Sequence, residues 1–335
     1  MKVLVTGGCG FIGSNFIHLL LAETDYKIFN LDCLTYAAHP GNLAGLENNP
    51  RYAFLKADIC NTELVHEYLQ QQQIDAIVHF AAESHVDRSI ENASDFVRTN
   101  VLGTQSLIDA ARKTKLKRFV HVSTDEVYGS LQHNDAAFSE TTPLHPNSPY
   151  SASKAASDML VLAAHHTSDF PALITRCSNN YGPRQFPEKL IPLVLHRALE
   201  RQSIPVYGNG TNIRDWIYVE DHCKGILDVL NSGKLGEVYN FGGAAEHNNL
   251  DVVKTLLKLT NRSEDLITFV TDRPGHDFRY AINFSKATLE LGWKPATHFE
   301  SGLQKTVDWY FEHQEWVKHA TGEHYQHYYQ QHYGK

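Results

Sequence analysis

Long apolar runs are missing from this 335-residue chain, and so is an excess of positive charge. Nowhere do 18 apolar residues follow one another, so no segment is expected to cross a bilayer, which takes about 20. The opening run at Val3-Leu4-Val5 ends at Gly7 and Gly8, too short for the apolar part of an export signal. With 30 Lys+Arg against 38 Asp+Glu the formal net charge is −8. That is the wrong sign for a protein that grips nucleic acid by its phosphates, and none is expected as a partner. Cysteine is sparse and unpatterned: Cys9, Cys33, Cys60, Cys177 and Cys223 are odd in number and contain no C-x-x-C. They predict reduced thiols in a cytoplasmic protein, and neither a disulfide frame nor a zinc site. Histidine is plentiful, with 20 residues. His165-His166 and the tail residues His324, His327 and His332 lack a companion set of carboxylates or thiols at ligand spacing, so no metal is expected.

What is present is the 42% hydrophobic, 20% charged balance of a folded globular protein. Val3–Val5, Ile28–Asp32, Ala53–Lys56, Ala76–Phe80, Arg118–Ser123 and Ala172–Arg176 read as short strands made of apolar runs. Helices are expected between them, near Ser14–Ala22, Glu63–Gln72 and Ser94–Lys113. Continuous apolar strands alternating with helices mean a parallel sheet covered on both faces. The fold class is therefore α/β, a doubly wound parallel sheet of Rossmann type, with a smaller interleaved α/β lobe. Residues 1–178 are assigned to the sheet domain, with 216–243 returning to it through a strand at Val238–Phe241. Residues 179–215 and 244–335 form the second lobe. Its helices are expected near 188–201, 250–260 and 299–318.

Three constellations carry chemistry. The first is Thr6-Gly7-Gly8-Cys9-Gly10-Phe11-Ile12-Gly13, a G-x-x-G-x-x-G loop between the first strand and a helix. Such a turn lets the backbone approach a pyrophosphate at a helix N-terminus. Asp32 ends the next strand, 19 residues after Gly13, where a carboxylate accepts from both ribose hydroxyls of NAD. No Arg follows to receive a 2′-phosphate, which favours NAD over NADP. The second is Tyr150-Ser-Ala-Ser-Lys154, a phenol and an ammonium on one helical face. A nearby cation favours phenolate and makes a usable base, although the spacing alone also fits an ordinary exposed pair. The third is Thr124-Asp125-Glu126 after the fifth strand. Different surroundings could split the two carboxyls into an acid and a base, although the residue types alone equally fit a solvated, capped turn.

With TGGCGFIGSN, HFAAESHVDRS, VSTDEVYG, YSASK, NNYGPRQFPEKLIP and RPGHDFRY in order between Thr6 and Tyr280, the chain resembles the extended short-chain dehydrogenase/reductase superfamily. Within it, the acidic pair makes it similar to the dTDP-glucose 4,6-dehydratase family. The resemblance implies a nucleotide-sugar substrate and a redox cycle with NAD regenerated in place. Tyr150, helped by Lys154 and Thr124, takes the proton of the sugar 4-OH as hydride leaves C4. Glu126 removes the C5 proton, Asp125 protonates the departing C6 hydroxyl, and hydride returns to C6. By motif position the resemblance adds Asp58, Ile59, Ala81, Ala82, Thr99 and Asn180 to the cofactor contacts. It places Ser84, Thr124, Asn179, Lys189, Leu190, Pro205, Tyr207, Arg214, Asn249, Asp277, Arg279 and Tyr280 at the sugar nucleotide. The chain departs from the family pattern at Phe278, where Arg is usual, and at Ala245, where Asn is usual.

Other readings on the same fold are a UDP-sugar 4,6-dehydratase and a 4-epimerase. Inversion at C4 needs neither a C5 base nor a C6 acid, so the acidic pair speaks against the epimerase. A non-catalytic NAD-binding sensor needs only the Gly loop and Asp32. A homodimer is expected through the Ser94–Lys113 and Tyr150–His165 helices, where Val97, Val101, Leu102, Leu107, Met159, Leu160 and Leu162 exceed what one sheet face can cover.

Overall fold

The computed structural model describes residues 1–322 together with Tyr325, Tyr329 and Gln330. His324, His327 and His332 lie outside the described residues. Twelve strands occur among them: β1 (Lys2–Thr6), β2 (Lys27–Asp32), β3 (Tyr52–Lys56), β4 (Ala76–His79), β5 (Arg118–Thr124), β6 (Ala172–Cys177), β7 (Asn179–Tyr181), β8 (Ile204–Tyr207), β9 (Ile213–Tyr218), β10 (Val238–Phe241), β11 (Glu246–Asn248) and β12 (Ile267–Val270). Seven form one parallel sheet in the order β10-β6-β5-β4-β1-β2-β3, a Rossmann-type arrangement. The order reverses between β1 and β4, and in such sheets the crevice at that point takes the ligand.

Alternation along each strand builds a core on either face. Val3, Val5, Ala76 and Val78 pack with Phe16, Ile17 and Ile226 on one side. Leu4, Ile77 and Phe119 pack with Leu107, Ile108 and Val161 on the other. A third core belongs to the second lobe, where helices Leu190–Leu199, Asn249–Leu259 and Phe299–Glu312 surround Trp216 and Tyr218. Ile217, between these two aromatics, joins the first core instead. Strand β9 thus stands between the lobes and sends alternate side chains into each. It pairs with β7 and β11 in a small separate sheet, while the helix Val219–Ser232 and β10 pack on the main sheet.

Two long helices expected from the sequence are interrupted. The Ser94–Lys113 stretch contains a π-helical segment at Val97–Gly103. There the Asn100 amide donates to the Glu83 carbonyl (3.0 Å) and to Ser153 Oγ (2.8 Å), tying the segment to its neighbours. A Cβ on Gly103 would stand 2.7 Å from Ile59 Cδ1. The C-terminal stretch breaks at His313 into Phe299–Glu312 and Gln314–Ala320. Its ring stacks on Trp309, with centroids 4.4 Å apart.

The contact between the returning helix and β10 is tight at Gly225, where a Cβ would lie 2.4 Å from the Phe241 ring. Gly225→Ala should destabilise the protein by about 1–3 kcal/mol through overpacking. A urea titration checks this, and an unchanged midpoint would show that the helix can shift freely on the sheet.

Candidate active site

The carboxyl ends of the strands open into one cavity of about 500 Å³ that runs from the Gly loop to the second lobe. At one end, Gly7 holds φ +72°, and a Cβ there would sit 2.6 Å from the Ala81 nitrogen. A Cβ on Gly13 would sit 2.4 Å from the Gly7 carbonyl. Only glycine lets the turn fold this closely. Gly10 caps the helix Phe11–Glu23 without a side-chain hydrogen bond, leaving first-turn N–H groups available to an anion. Asp32 is buried beside this loop, and its carboxylate accepts from the Cys9 N–H (2.9 Å) and the Leu34 N–H (2.8 Å). Burial nevertheless raises its pKa. A glycine cradle, an uncapped helix start and a carboxylate at the next strand end fit a dinucleotide.

All the expected cofactor residues line this cavity: Gly7, Gly10, Phe11, Ile12, Gly13, Asp32, Asp58, Ile59, Ala81, Ala82, Thr99, Tyr150, Lys154 and Asn180. Asp58 is fixed at the mouth by Arg98, 2.7 Å away.

In the middle lie Thr124, Asp125, Glu126, Tyr150 and Lys154. Thr124 ends β5, and its hydroxyl caps the short turn by accepting from the Glu126 N–H at 3.3 Å. Tyr150 and Lys154 lie on the first turns of the helix Pro149–Ser168, which Ser148 and Ser151 start with a reciprocal capping box. The surroundings split the two carboxyls. Burial and then the neighbouring carboxylates of Glu126 and Asp215 hold Asp125 well above the ordinary range. Glu126 is also raised by burial, but Lys189, Arg273 and Arg214 pull it back down. Asp125 is thus the better-placed acid and Glu126 the better-placed base.

Tyr150 is buried beside the acidic pair. Burial and the Glu126 carboxylate push its phenol well above the ordinary value, against a favourable hydrogen bond with Thr124. Desolvation lowers the Lys154 ammonium to about 8, and its Nζ donates to the Val122 carbonyl at 2.9 Å.

At the far end, Ser84, Asn179, Lys189, Leu190, Pro205, Tyr207, Arg214, Asn249 and Tyr280 line the cavity. Lys189 Nζ donates to the Ser84 carbonyl (2.6 Å), and Arg214 donates to the Ile213 and Asp277 carbonyls (2.8 and 2.9 Å). The Arg214 guanidinium lies 4.3 Å over the Tyr280 ring. Asn179 Oδ1, Asn249 Oδ1 and Asp125 Oδ2 are buried without a hydrogen-bond partner. Orphans of this kind are unusual in folded proteins and suit a ligand-binding cavity.

Two expected substrate residues are not among those lining it. Arg279 points away, donating to the Gln132 and Asp135 carbonyls (3.3 and 2.9 Å). It forms a bidentate pair with Glu246 (2.6 and 2.9 Å). Asp277 lies behind the wall, where its carboxylate accepts from the Tyr280 hydroxyl (2.6 Å) and the Asn147 amide (2.7 Å). Sequence reasoning missed Arg273 and His276, which do line the cavity. Both stand in the quoted RPGHDFRY stretch, but no periodicity tells which side chains of a loop turn inward. Glu83, His85, Asp87 and Glu188 line it as well.

Comparison with known proteins decides the family. A family model for GDP-mannose 4,6 dehydratase matches residues 4–306. A dTDP-glucose 4,6-dehydratase of Xanthomonas campestris pv. campestris (strain B100) is 52% identical over 333 residues, covering 94% of each chain. This chain belongs to the dTDP-glucose 4,6-dehydratase family. The crystal structure of a family member from Streptomyces venezuelae, DesIV, with NAD and dTDP bound, superposes with TM-score 0.93 at 46% identity. The match covers 96% of this chain and 100% of that one. A UDP-glucuronic acid 4-epimerase from Bacillus cereus, in complex with UDP-glucuronic acid and NAD, shares the fold at TM-score 0.87 and 32% identity, covering 93% and 99%.

The raised Asp125 pKa has a consequence for stability. Its carboxyl stays protonated to higher pH in the folded chain than in the unfolded one. That contribution is fully present below the unfolded carboxyl's pKa and is lost as pH rises through the folded value. Asp125→Asn, neutral throughout, should therefore raise the melting temperature near neutral pH by about 2–4 °C, a gain that shrinks as pH falls and vanishes below the unfolded carboxyl's pKa of about 4. Thermal melts across that range test this, and a parallel offset at every pH would contradict it.

Proposed function

We propose that this protein converts dTDP-glucose to dTDP-4-keto-6-deoxyglucose, a lyase reaction run through an internal redox cycle on NAD. The observation that carries the reading is the split acidic pair, Asp125 and Glu126, beside Tyr150 in a cavity that a dinucleotide cradle opens into. Family membership supports it. The buried pair also favours dehydration over 4-epimerisation, since inversion at C4 has no use for two carboxyls.

In this reading NAD, when bound, supplies the hydride acceptor at C4, the donor for C6 and a positive charge beside Tyr150. Tyr150, ionised to the phenolate and bridged to Thr124, takes the 4-OH proton. Lys154 holds the strand end through Val122 and adds positive charge behind the phenol. The 4-keto group acidifies C5, and Glu126 takes that proton. Asp125 gives its proton to the C6 hydroxyl as water leaves, and Glu126 returns a proton to C5 when C6 is reduced. Lys189, Arg214 and Arg273 face the diphosphate, where charge-assisted hydrogen bonds to guanidinium are strong. Tyr207 and the 205–207 wall border the base. A carboxylate at Asp32 with no arginine after it suits NAD over NADP.

The sheet domain is assigned to residues 1–178 with 216–243, and the sugar-nucleotide lobe to 179–215 with 244–335. Five free cysteines and the absence, among the described residues, of any helix long and apolar enough to cross a membrane support a cytoplasmic enzyme. Deoxysugar synthesis, such as that of rhamnose, is the setting its product chemistry suits.

Incubation with dTDP-glucose and NAD should yield a 4-keto sugar, read by its absorbance in alkali. Asp125→Asn should slow water loss by about 10²-fold or more while C4 oxidation persists, and Glu126→Gln should abolish exchange of the C5 hydrogen with solvent. Equal loss of C4 oxidation in both variants would reduce the acidic pair to a structural turn. Production of only a C4 epimer would overturn the dehydratase reading itself.

The second part of the proposal is a homodimer. Val97, Leu102 and Met159 remain 48%, 59% and 47% exposed on the two helical stretches expected to pair, and Ile90 (42%) extends the patch. Leu107 does not contribute, because it is fully buried against the sheet. Pairing these helices across a two-fold axis would cover the patch. Sedimentation should give twice 37.8 kDa, and Met159→Glu with Leu102→Glu should give monomer. A wild-type monomer at micromolar concentration would refute this.

A further inference from the structure

Glu188 sits where three wall segments of the cavity meet. Its side chain is only 2% exposed. One oxygen accepts from the Tyr36 hydroxyl at 3.2 Å, and the other pairs with Arg88 Nε at 3.4 Å. The Arg88 guanidinium in turn lies 3.8 Å over the Tyr36 ring. Phe186 meets the same ring edge-on, with centroids 5.9 Å apart. Tyr36 belongs to the loop after Asp32, whose Cys33, Thr35, Ala37 and Ala38 border the cofactor end. Arg88 follows Ser84, and Glu188 precedes Lys189, at the sugar-nucleotide end. These last two segments are also joined directly, by Lys189 Nζ to the Ser84 carbonyl and by the His85 ring to the Glu188 carbonyl (3.3 Å). Tyr36 is the side chain by which the cofactor-side loop is drawn into that pair.

We propose that Tyr36, Arg88 and Glu188 form a clasp that closes the cleft over the dinucleotide and holds it there between the two hydride transfers. This rests on the redox cycle proposed above and goes beyond it by naming what retains the cofactor. The cycle makes retention necessary. Hydride taken from C4 must be returned to C6 of the same sugar, after water has left. If the reduced cofactor escaped in that interval, the sugar would remain a 4-keto-5,6-ene and the protein would be left without its oxidant. A buried carboxylate shared by a guanidinium and a phenol is a strong tie for this purpose. Removing either partner leaves the charge poorly satisfied, and the walls are free to part. None of the three side chains is placed at the reacting atoms, so they act on residence and not on the chemical steps.

The test reads cofactor release directly, without sugar. Purified protein is loaded with NADH, and its dissociation is followed by fluorescence after addition of excess NAD. Tyr36→Ala and Arg88→Met should release NADH about tenfold faster or more, and Tyr36→Phe, which loses one hydroxyl, about two- to threefold faster. The first two should lose activity on gel filtration and regain it with added NAD, with kcat at saturating NAD within about twofold of wild type. Unchanged release in Tyr36→Ala and Tyr36→Phe would overturn the clasp, as would a loss of kcat that saturating NAD does not restore. If Arg88→Met fails to fold, the two Tyr36 variants decide the matter. Wild-type protein that holds no NADH would instead overturn the NAD reading itself, which keeps the two failures apart.

Discussion

Charge removed from water at the end of β5 and on β9 is the constraint around which this chain is arranged. Asp125, Glu126 and Asp215 crowd one region, and burial raises the pKa of all three. Such a cluster is tolerated only if the carboxyls stay protonated or cations are brought to them. The second lobe brings the cations. Lys189, Arg214 and Arg273 come from three separate segments, each outside the main sheet, and all three act on Glu126. Two of them are held by backbone carbonyls, so they stay in position without closing onto the carboxylates. Preorganised charge of this kind costs no rearrangement when a reaction needs it.

The main sheet was legible in the sequence because a parallel sheet covered on both faces writes itself as apolar runs, and β1, β4 and β6 are buried along nearly their whole length. The Gly loop was legible for a different reason. Close backbone approach forbids a side chain, so glycine at 7 and 13 is demanded by geometry and survives as a pattern. The interruptions were not legible. Val97–Gly103 reads as part of one longer helix, and the contacts of Asn100 with Glu83 and Ser153 and of Arg98 with Asp58 that accompany its π-turn are tertiary. The polar core was hidden too. His79 is fully buried between Thr6 (2.7 Å) and Thr104 (3.0 Å), and nothing local in a strand shows which partners will meet it.

At the site, residues on regular elements were easier to place than residues on loops. Thr124, Tyr150 and Lys154 sit at a strand end and on a helix, where period and position fix direction. The stretch from Arg273 to Tyr280 is a loop, and there the reading slipped. It took Asp277 and Arg279 for cavity residues and passed over Arg273 and His276. Arg279 is explained by Glu246, a neighbour 33 positions away. A charge in a loop turns toward whichever opposite charge the fold supplies, and sequence spacing does not encode that supply.

The same electrostatics bear on when the site becomes competent. The cations lower Glu126 while burial raises it, and Arg273 is paired with Asp87 at 3.0 Å. A diphosphate set against Lys189, Arg214 and Arg273 would neutralise the groups that favour ionised Glu126. Its pKa would then rise toward the range in which a carboxylate is an effective base near neutrality. Tyr150 faces the opposite requirement. Its phenol is held protonated by burial and by Glu126, so it needs positive charge before it can accept a proton. An anion set against those cations and a cation set beside the phenol would thus act on two different groups with opposite signs, one raising a carboxyl and the other lowering a phenol.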